Sequence, residues 1–468
     1  MTDVSTGSRT IEEARAQLGE RAVLPGDAAY DEARAVWNGT VDARPALVAR
    51  AESTADVQRV VRLARETGLP LAVRGGGHNV AGFGTIEGGV VLDLSGLRSV
   101  QVDAGARLAV VGGGATLADL DRATQEHGLA APVGVVSETG VGGLTLSGGL
   151  GWLRRLHGLS IDNLVAAEVV TADGSVRRAG EDGEGDADLL WALRGGGGNV
   201  GVVTSFTFRL HPVGPAVWVN FVLYPLAAAH EVLLAHDELM RDGPEELAPI
   251  GVLGRVPPAE PFPEELHHAP FAGILGPYIG SPEAGEAASA QLRELAEPLA
   301  DLSGAMPWLA LQQLLDADYP AGGRYYWKSA NLPGLDAATV DTLVAHAERA
   351  PSDHSTIDLW LNGGAIARVP EEATAFGNRA APYLVGVEAN WESPEDDEAN
   401  RAWARGLLAD LEAHGSAGVY LNFAGLPEEA AASARAGHGA GYQRLASLKA
   451  RYDPDNLFRH NQNVPPAT

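Results

Sequence analysis

Three glycine-rich runs constrain this chain more than any other feature: Arg74-Gly75-Gly76-Gly77-His78-Asn79, the stretch from Gly134 to Gly151, and Arg194-Gly195-Gly196-Gly197-Gly198-Asn199. Glycine supplies 58 of the 468 residues, about 12% where ~7% is usual. Because these glycines are clustered, low complexity does not account for them. A glycine run after a strand lets consecutive backbone N–H groups converge on an anion, a nest that accepts a pyrophosphate without help from lysine. That matters in a chain whose only lysines are Lys328 and Lys449. The stretch Gly134–Gly151 is predicted to be irregular throughout. A Gly-x-Gly-x-x-Gly match at Gly196, Gly198 and Gly201 opens a strand rather than a helix, so the context of a dinucleotide-binding βαβ unit is missing.

Charge and composition exclude several functions. Lys+Arg number 34 and Asp+Glu 61, a net charge of −27. Such a chain repels nucleic-acid backbones and anionic lipid, so neither is expected as a partner. There is no cysteine, which removes disulfides, thiolate metal sites, iron–sulfur clusters and thiol nucleophiles. There is no Gly-Lys-Ser/Thr of a P-loop, and the His267-His268 pair stands alone in a Pro-rich loop. No metal site is expected. Absence of a long apolar run and of a basic-then-apolar start predicts a cytoplasmic protein.

Residues 1–39 read as a lead-in with a helix around Glu12–Gln17. Ser53 and Asp56 form a capping pattern for a helix that ends at Gly68. Strands are predicted at 70–73, 90–94 and 108–111, a helix at 116–127, and a hairpin turn at Asp173-Gly174. A helix at 188–193 and a strand at 202–210 follow. Beyond Pro212, long alternating strands at 217–224, 354–362 and 383–391 are separated by helices at 227–241, 283–300 and 336–349. This predicts an antiparallel sheet backed by helices. A strand at 419–423 and a helix at 442–452 precede the tail Asp453–Asn463. The fold class is therefore α+β.

Arg74–Asn79 with Gly82, the run Gly140–Gly151, Arg194–Val203 and the tail through Asn461-Gln462-Asn463 resemble, in the same order, the berberine-bridge-enzyme-like branch of the vanillyl-alcohol-oxidase flavoproteins. The resemblance spans about Thr40 to Pro466 and is strongest toward bacterial histidyl-FAD members. It implies a two-domain fold: a PCMH-type FAD-binding domain (40–212) completed by a C-terminal segment (416–468), with a substrate domain (213–415) between them.

The resemblance also implies roles. FAD would be bonded covalently to His78 alone, because the cysteine that forms a second link in many relatives is replaced by Val136. Arg74, Gly75, Gly76, Gly77, Asn79, Gly82, Gly140, Gly142, Gly143, Gly148, Gly149, Gly151, Val203, Tyr420, Asn461 and Asn463 would complete the cofactor site. Thr139 would lie beside the flavin and leave oxygen a path. Tyr420 and Asn422, in Tyr-Leu-Asn-Phe, would act as base or proton relay. Asp358 alternates with Trp360 and Asn362 on one strand face, which faces either flavin or solvent. Arg368 stands where plant relatives carry a catalytic glutamate. Tyr278, Trp308, Tyr325, Tyr326, Trp327, Trp391 and Phe423 offer an aromatic inventory suited to an apolar or aromatic substrate.

The activity expected is that of an oxidase passing electrons from a small organic molecule to O2, as a monomer or homodimer. The alternatives are a flavin-dependent oxygenase of polyketide-like secondary metabolism and a flavin-carrying protein without turnover.

Overall fold

The molecule, a computed structural model, is described over residues 11–12 and 15–468. Part of the helix expected around Glu12–Gln17 lies outside the described residues; residues 15–18 are helical. The first sheet has four strands in the order Ala22–Val23, Leu47–Arg50, Val90–Asp93, Leu71–Arg74. Leu47–Arg50 and Leu71–Arg74 both run parallel to the strand between them. Their crossover is the helix Thr54–Thr67, whose Asp56 N–H donates to the Ser53 hydroxyl and whose end is left-handed Gly68. Its buried face (Val57, Val60, Val61, Ala64) packs on the strands.

The second sheet is antiparallel and joins Val100–Asp103, Leu108–Gly112, Val202–Arg209, Leu164–Val170 and Val176–Gly180. Its last pair turns through Asp173-Gly174, with Gly174 at φ 78°. The helix Tyr442–Tyr452 closes over this sheet, placing Leu445 and Leu448 in the same core as Phe206 and Leu190.

The third sheet has eight strands and is antiparallel. From its middle to one edge run Ile250–Arg255, Thr356–Leu361, Tyr383–Trp391 and Arg324–Leu332. Helices Ala229–Arg241, Ala337–Glu348 and Asp397–Glu412 cover one face through Leu233, Leu343 and Leu407, against Ile357, Val385 and Val387. The opposite face carries Ile250, Trp360 and Leu384 and meets Trp152, Ile161 and Tyr420. Arg154 fastens the two halves. Fully buried, it donates to the carbonyls of Leu361 (2.8 Å), Ala248 (3.0 Å) and Pro249 (2.5 Å).

Three local expectations are corrected. Within Gly134–Gly151, residues Val141–Leu146 form a helix. A glycine pair lowers helix propensity by about 1 kcal/mol per residue, but burial of Val141 and Thr145 outweighs it. The segment 419–423 is not a strand: Tyr420 is extended and Leu421–Phe423 is a 3-10 turn. The backbone bridge to the sheet stops short of it, at Asn331–Ala417, and the Tyr420 backbone bonds the Ser329 hydroxyl instead of a strand backbone, so no ladder extends it. The expected helix 283–300 ends at Ala288, gives one 3-10 turn at Ala290–Arg293, and reaches a two-residue edge strand at Ala300–Asp301. Pro298 ends any continuation, since its ring blocks the helix and removes a donor.

Candidate active site

The strand Leu71–Arg74 ends in a loop whose backbone lines a cavity between the three sheets. Among the described residues, no N–H from Gly75 to Asn79 donates to a protein acceptor. A row of unpaired donors of this kind calls for an anionic ligand. A Cβ on Gly76 would stand 2.5 Å from the Gly140 nitrogen, and one on Gly142 would stand 2.9 Å from the Gly113 carbonyl oxygen. These glycines therefore allow two loops to touch. Gly143 has a different reason: a Cβ there would meet nothing within 4 Å, and the residue lines the cavity. A side chain would occupy the ligand's space.

Several of the remaining sequence-predicted residues support the site rather than line it. The Arg74 guanidinium does not serve the anion nest. It donates to the carbonyls of Ala33 (2.7 Å) and Ala35 (3.1 Å) and to Asp93 (3.0 Å). Burial of an arginine this close to an acid on the neighbouring strand makes the pair structural. Gly82, at φ 78°, packs on Val41, and a Cβ on Gly151 would meet the Val133 carbonyl. Gly148 and Gly149 back the Tyr420 ring and hydroxyl. Val203 and Asn461 line the cavity, and the Asn461 Oδ1 is buried without a partner. Asn463 does not reach it.

His78 ends the nest. Its ring stacks on Trp37 at 4.1 Å and 18°, and Trp37 stacks in turn on Tyr325 at 3.7 Å and 11°. The Nε2 is buried and has no hydrogen-bond partner. Burial pushes the imidazole pKa down to about 4, so the ring is neutral near pH 7 and retains a nucleophilic lone pair. Val136 lies in the adjoining aromatic cluster with Trp37 and Trp327, and Thr139 lines the cavity close by in sequence.

Tyr420 also lines the cavity and is buried. Its oxygen accepts from the N–H groups of Gly149 (3.2 Å) and Leu150 (3.0 Å) and from Asn422 Nδ2 (2.9 Å). Burial raises the phenol pKa above 10, while those three donors pull it back. The second Asn422 Nδ2 contact is the Leu144 carbonyl (3.0 Å), so this amide is fixed in orientation.

Asp358 and Trp360 point into the cavity; Asn362, the third residue of that face, does not line it. Asp358 pairs in register with Gly386, which puts Glu388 diagonally across on the neighbouring strand. Both carboxyls are buried. Glu388 accepts the Tyr319 hydroxyl at 2.7 Å. Burial, with Asp318 nearby, raises Asp358 to about 7, and burial together with Asp358 raises Glu388 well above its ordinary value. Arg368 is exposed and paired with Glu245. Of the aromatic inventory, Trp327 and Phe423 line the cavity. Tyr326 and Trp391 lie on the helix-covered face, where they bond Glu429 and Asp397.

Comparison with known proteins agrees with this geometry. The FAD binding domain family matches residues 45–180, and the berberine and berberine-like family matches 419–465. An FAD-linked oxidoreductase of Dictyostelium discoideum is 30% identical over 92% of this chain and 91% of its own. The chain belongs to the berberine-like FAD-linked oxidoreductases. The (R)-6-hydroxynicotine oxidase of Paenarthrobacter nicotinovorans is 29% identical over 95% of this chain and 96% of its own. A crystal structure of 6-hydroxy-D-nicotine oxidase from Arthrobacter nicotinovorans superposes with a TM-score of 0.83 at 28% identity, covering 96% of this chain and 98% of that one. A chitooligosaccharide oxidase shares the fold at TM-score 0.85 and 22% identity, covering 98% of this chain and all of the other.

Among the residues of this oxidoreductase's site that sequence reasoning missed are Trp37, Tyr319, Glu388 and Gln462. Glu388 carried a readable signal, as the one acid inside the apolar run Tyr383–Trp391. Trp37 carried none, because its partners His78 and Tyr325 lie far along the chain.

Proposed function

We propose that the protein is an FAD oxidase that carries its flavin covalently on His78 and transfers electrons from a small, largely apolar or aromatic substrate to O2, releasing H2O2. The observation that carries this reading is the neutral imidazole with an unpartnered, buried Nε2 at the end of five unpaired backbone donors. That arrangement fits a flavin dinucleotide: the donors of Gly75–Asn79 and the open face at Gly143 suit the pyrophosphate, and the imidazole is free to bond carbon. Residues 40–212 and 416–468 would hold the cofactor, and 213–415 the substrate. Bound there, the flavin supplies the acceptor for hydride and the electrons for oxygen.

The chain's residues do the remaining work. Once ionised, Tyr420 takes a proton from the substrate and returns to the phenol; until then its phenolate is held by the N–H groups of Gly149, Leu150 and Asn422. Asp358 is the other proton-handling group on the substrate side. Val136 and Thr139 are small and leave room for oxygen.

Denatured protein run on a gel should keep flavin fluorescence on the band, and His78→Ala should lose it. Wild type that releases all its flavin in acid would end the covalent reading. Reoxidation of photoreduced enzyme in air should slow by about tenfold or more in Thr139→Leu. Turnover under labelled oxygen decides the reaction type: peroxide marks the oxidase, and label in the organic product marks an oxygenase instead.

A further inference from the structure

Asp358 and Glu388 form a buried acidic pair for which the protein supplies no counter-charge. They sit diagonally on adjacent antiparallel strands and share the cavity face. Gly386 separates them: a Cβ there would lie 3.4 Å from Glu388 Oε1 and 3.6 Å from the Asp358 Cβ. The groups around the pair are Tyr319, Asp318, Thr356 and the ring of Trp327. None is basic. Among the described residues, the basic side chains of the cavity are Arg74, tied to Asp93, and two histidines whose pKa burial lowers. Lys328 points to the other face of the sheet, where it pairs with Glu429.

Two further observations are independent of the acids' clustering. Asp358 Oδ1, on a residue with only 5% exposure, lies buried at the cavity with no donor in hydrogen-bond geometry, the Thr356 hydroxyl on the same strand face only tempering the rise in its pKa. The Trp360 Nε1, two residues on and also facing the cavity, lacks an acceptor. An unpartnered buried acceptor beside an unpartnered buried donor leaves hydrogen bonds for a ligand to complete. The aromatic walls add a preference. Trp327 meets Tyr319 at 5.4 Å and Phe423 at 5.3 Å, both edge-to-face, so ring faces and a carboxylate border one space. Aromatic faces and carboxylates both attract a cation.

Resting on the oxidase reading above, we infer that the substrate is a cationic nitrogen compound, an amine protonated in solution and attached to an apolar or aromatic body, whose N–H donates to Asp358. Where Asp358 is ionised, as at pH 8, a neutral alcohol or sugar has no charge with which to balance it. The acidity of the whole chain, −27, also raises the local concentration of such a cation.

The test is binding, measured by calorimetry on the purified holoenzyme at pH 8. The probes are matched arylalkyl pairs of one to three rings that differ only in ammonium against hydroxyl, such as 2-phenylethylamine and 2-phenylethanol. At least one amine should bind about tenfold or more tightly than its alcohol, and Asp358→Asn should reduce that preference to less than about threefold. The asparagine has the same shape, and melting temperature with flavin content reports whether the fold survives; Glu388→Gln, which leaves Asp358 in place, gives a second reading and should weaken amine binding less. A panel in which no amine outbinds its alcohol, or a preference that persists in Asp358→Asn, overturns the inference. Calorimetry needs no turnover, so it remains readable even if peroxide never appears.

Discussion

Tyr420 carries three N–H donors on one oxygen, one more than a phenol's acceptor capacity readily uses while it keeps its proton. The arrangement fits the ionised form better than the neutral one, even though burial works against ionisation. With its pKa above 10, the phenol is the resting form near neutrality, so flavin reduction by substrate should quicken as pH rises toward that value. Tyr420→Phe should lower the reduction rate by about 10²–10⁴-fold and abolish that rise. Rapid-mixing absorbance across pH measures both, and flavin content should stay unchanged. Trp37 acts at the same scale on His78. Its stacked ring fixes the plane of the imidazole, so Trp37→Leu should reduce the fraction of flavin retained after acid precipitation, whereas Trp37→Phe should largely preserve it. Equal retention in all three proteins would limit the tryptophan to packing.

At the scale of elements, the paired strands Thr356–Leu361 and Tyr383–Trp391 hold protons that an unfolded chain would release. An unfolded aspartate titrates near pH 4, whereas folded Asp358 titrates at about 7. The folded state thus binds the extra proton in this window, and its stability falls as pH rises from about 4 through about 7. Asp358→Asn removes this residue's share of that slope. Melting curves of the two proteins should lie closest at pH 5 and separate by pH 8, with the variant the more stable. Local elements were the legible part of the sequence: the Ser53 cap, the Gly68 stop and strands such as Leu71–Arg74, Val90–Asp93 and Tyr383–Trp391 follow from patterns a few residues long, whereas Leu47–Arg50, Ile250–Arg255, Pro270–Tyr278 and Arg324–Leu332 went unread. The glycine runs also announced a cofactor. What stayed hidden was long-range. Nothing near Arg74 reveals that its guanidinium is committed to Asp93, and nothing in the alternation of 356–362 says which side of that strand meets the cavity. Helix Val141–Leu146 was hidden for another reason, since only burial by distant strands offsets its glycines.

Across the whole molecule, one lysine ties the C-terminal segment to the rest. Lys449 is fully buried; its Nζ donates to the carbonyls of Asn199 (2.8 Å) and Phe458 (2.7 Å) and to Asp453 (2.7 Å). Asn199 in turn holds Gln462 and Val464. Removing one member of a buried ion pair leaves the other charged and unpaired, at a cost of about 3–5 kcal/mol. Lys449→Met should therefore lower the melting temperature markedly and release the tail, with loss of flavin measured in the same preparation. Lys449→Met with Asp453→Asn should recover part of the stability. Among the described residues no helix is long and apolar enough to cross a membrane.

The tail so anchored places Phe458, His460, Asn461 and Gln462 on the cavity wall, yet the Gly75–Asn79 loop they face is translated nearly four hundred residues earlier. The intervening eight-stranded sheet must leave the ribosome before that wall exists. At about 5–20 residues per second, the delay is on the order of 20–80 s. Throughout it, the glycine loop has no completed pocket against which to hold a dinucleotide. Flavin loading is thereby made a late event in the protein's biogenesis, timed by translation of the opposite end of its own binding site.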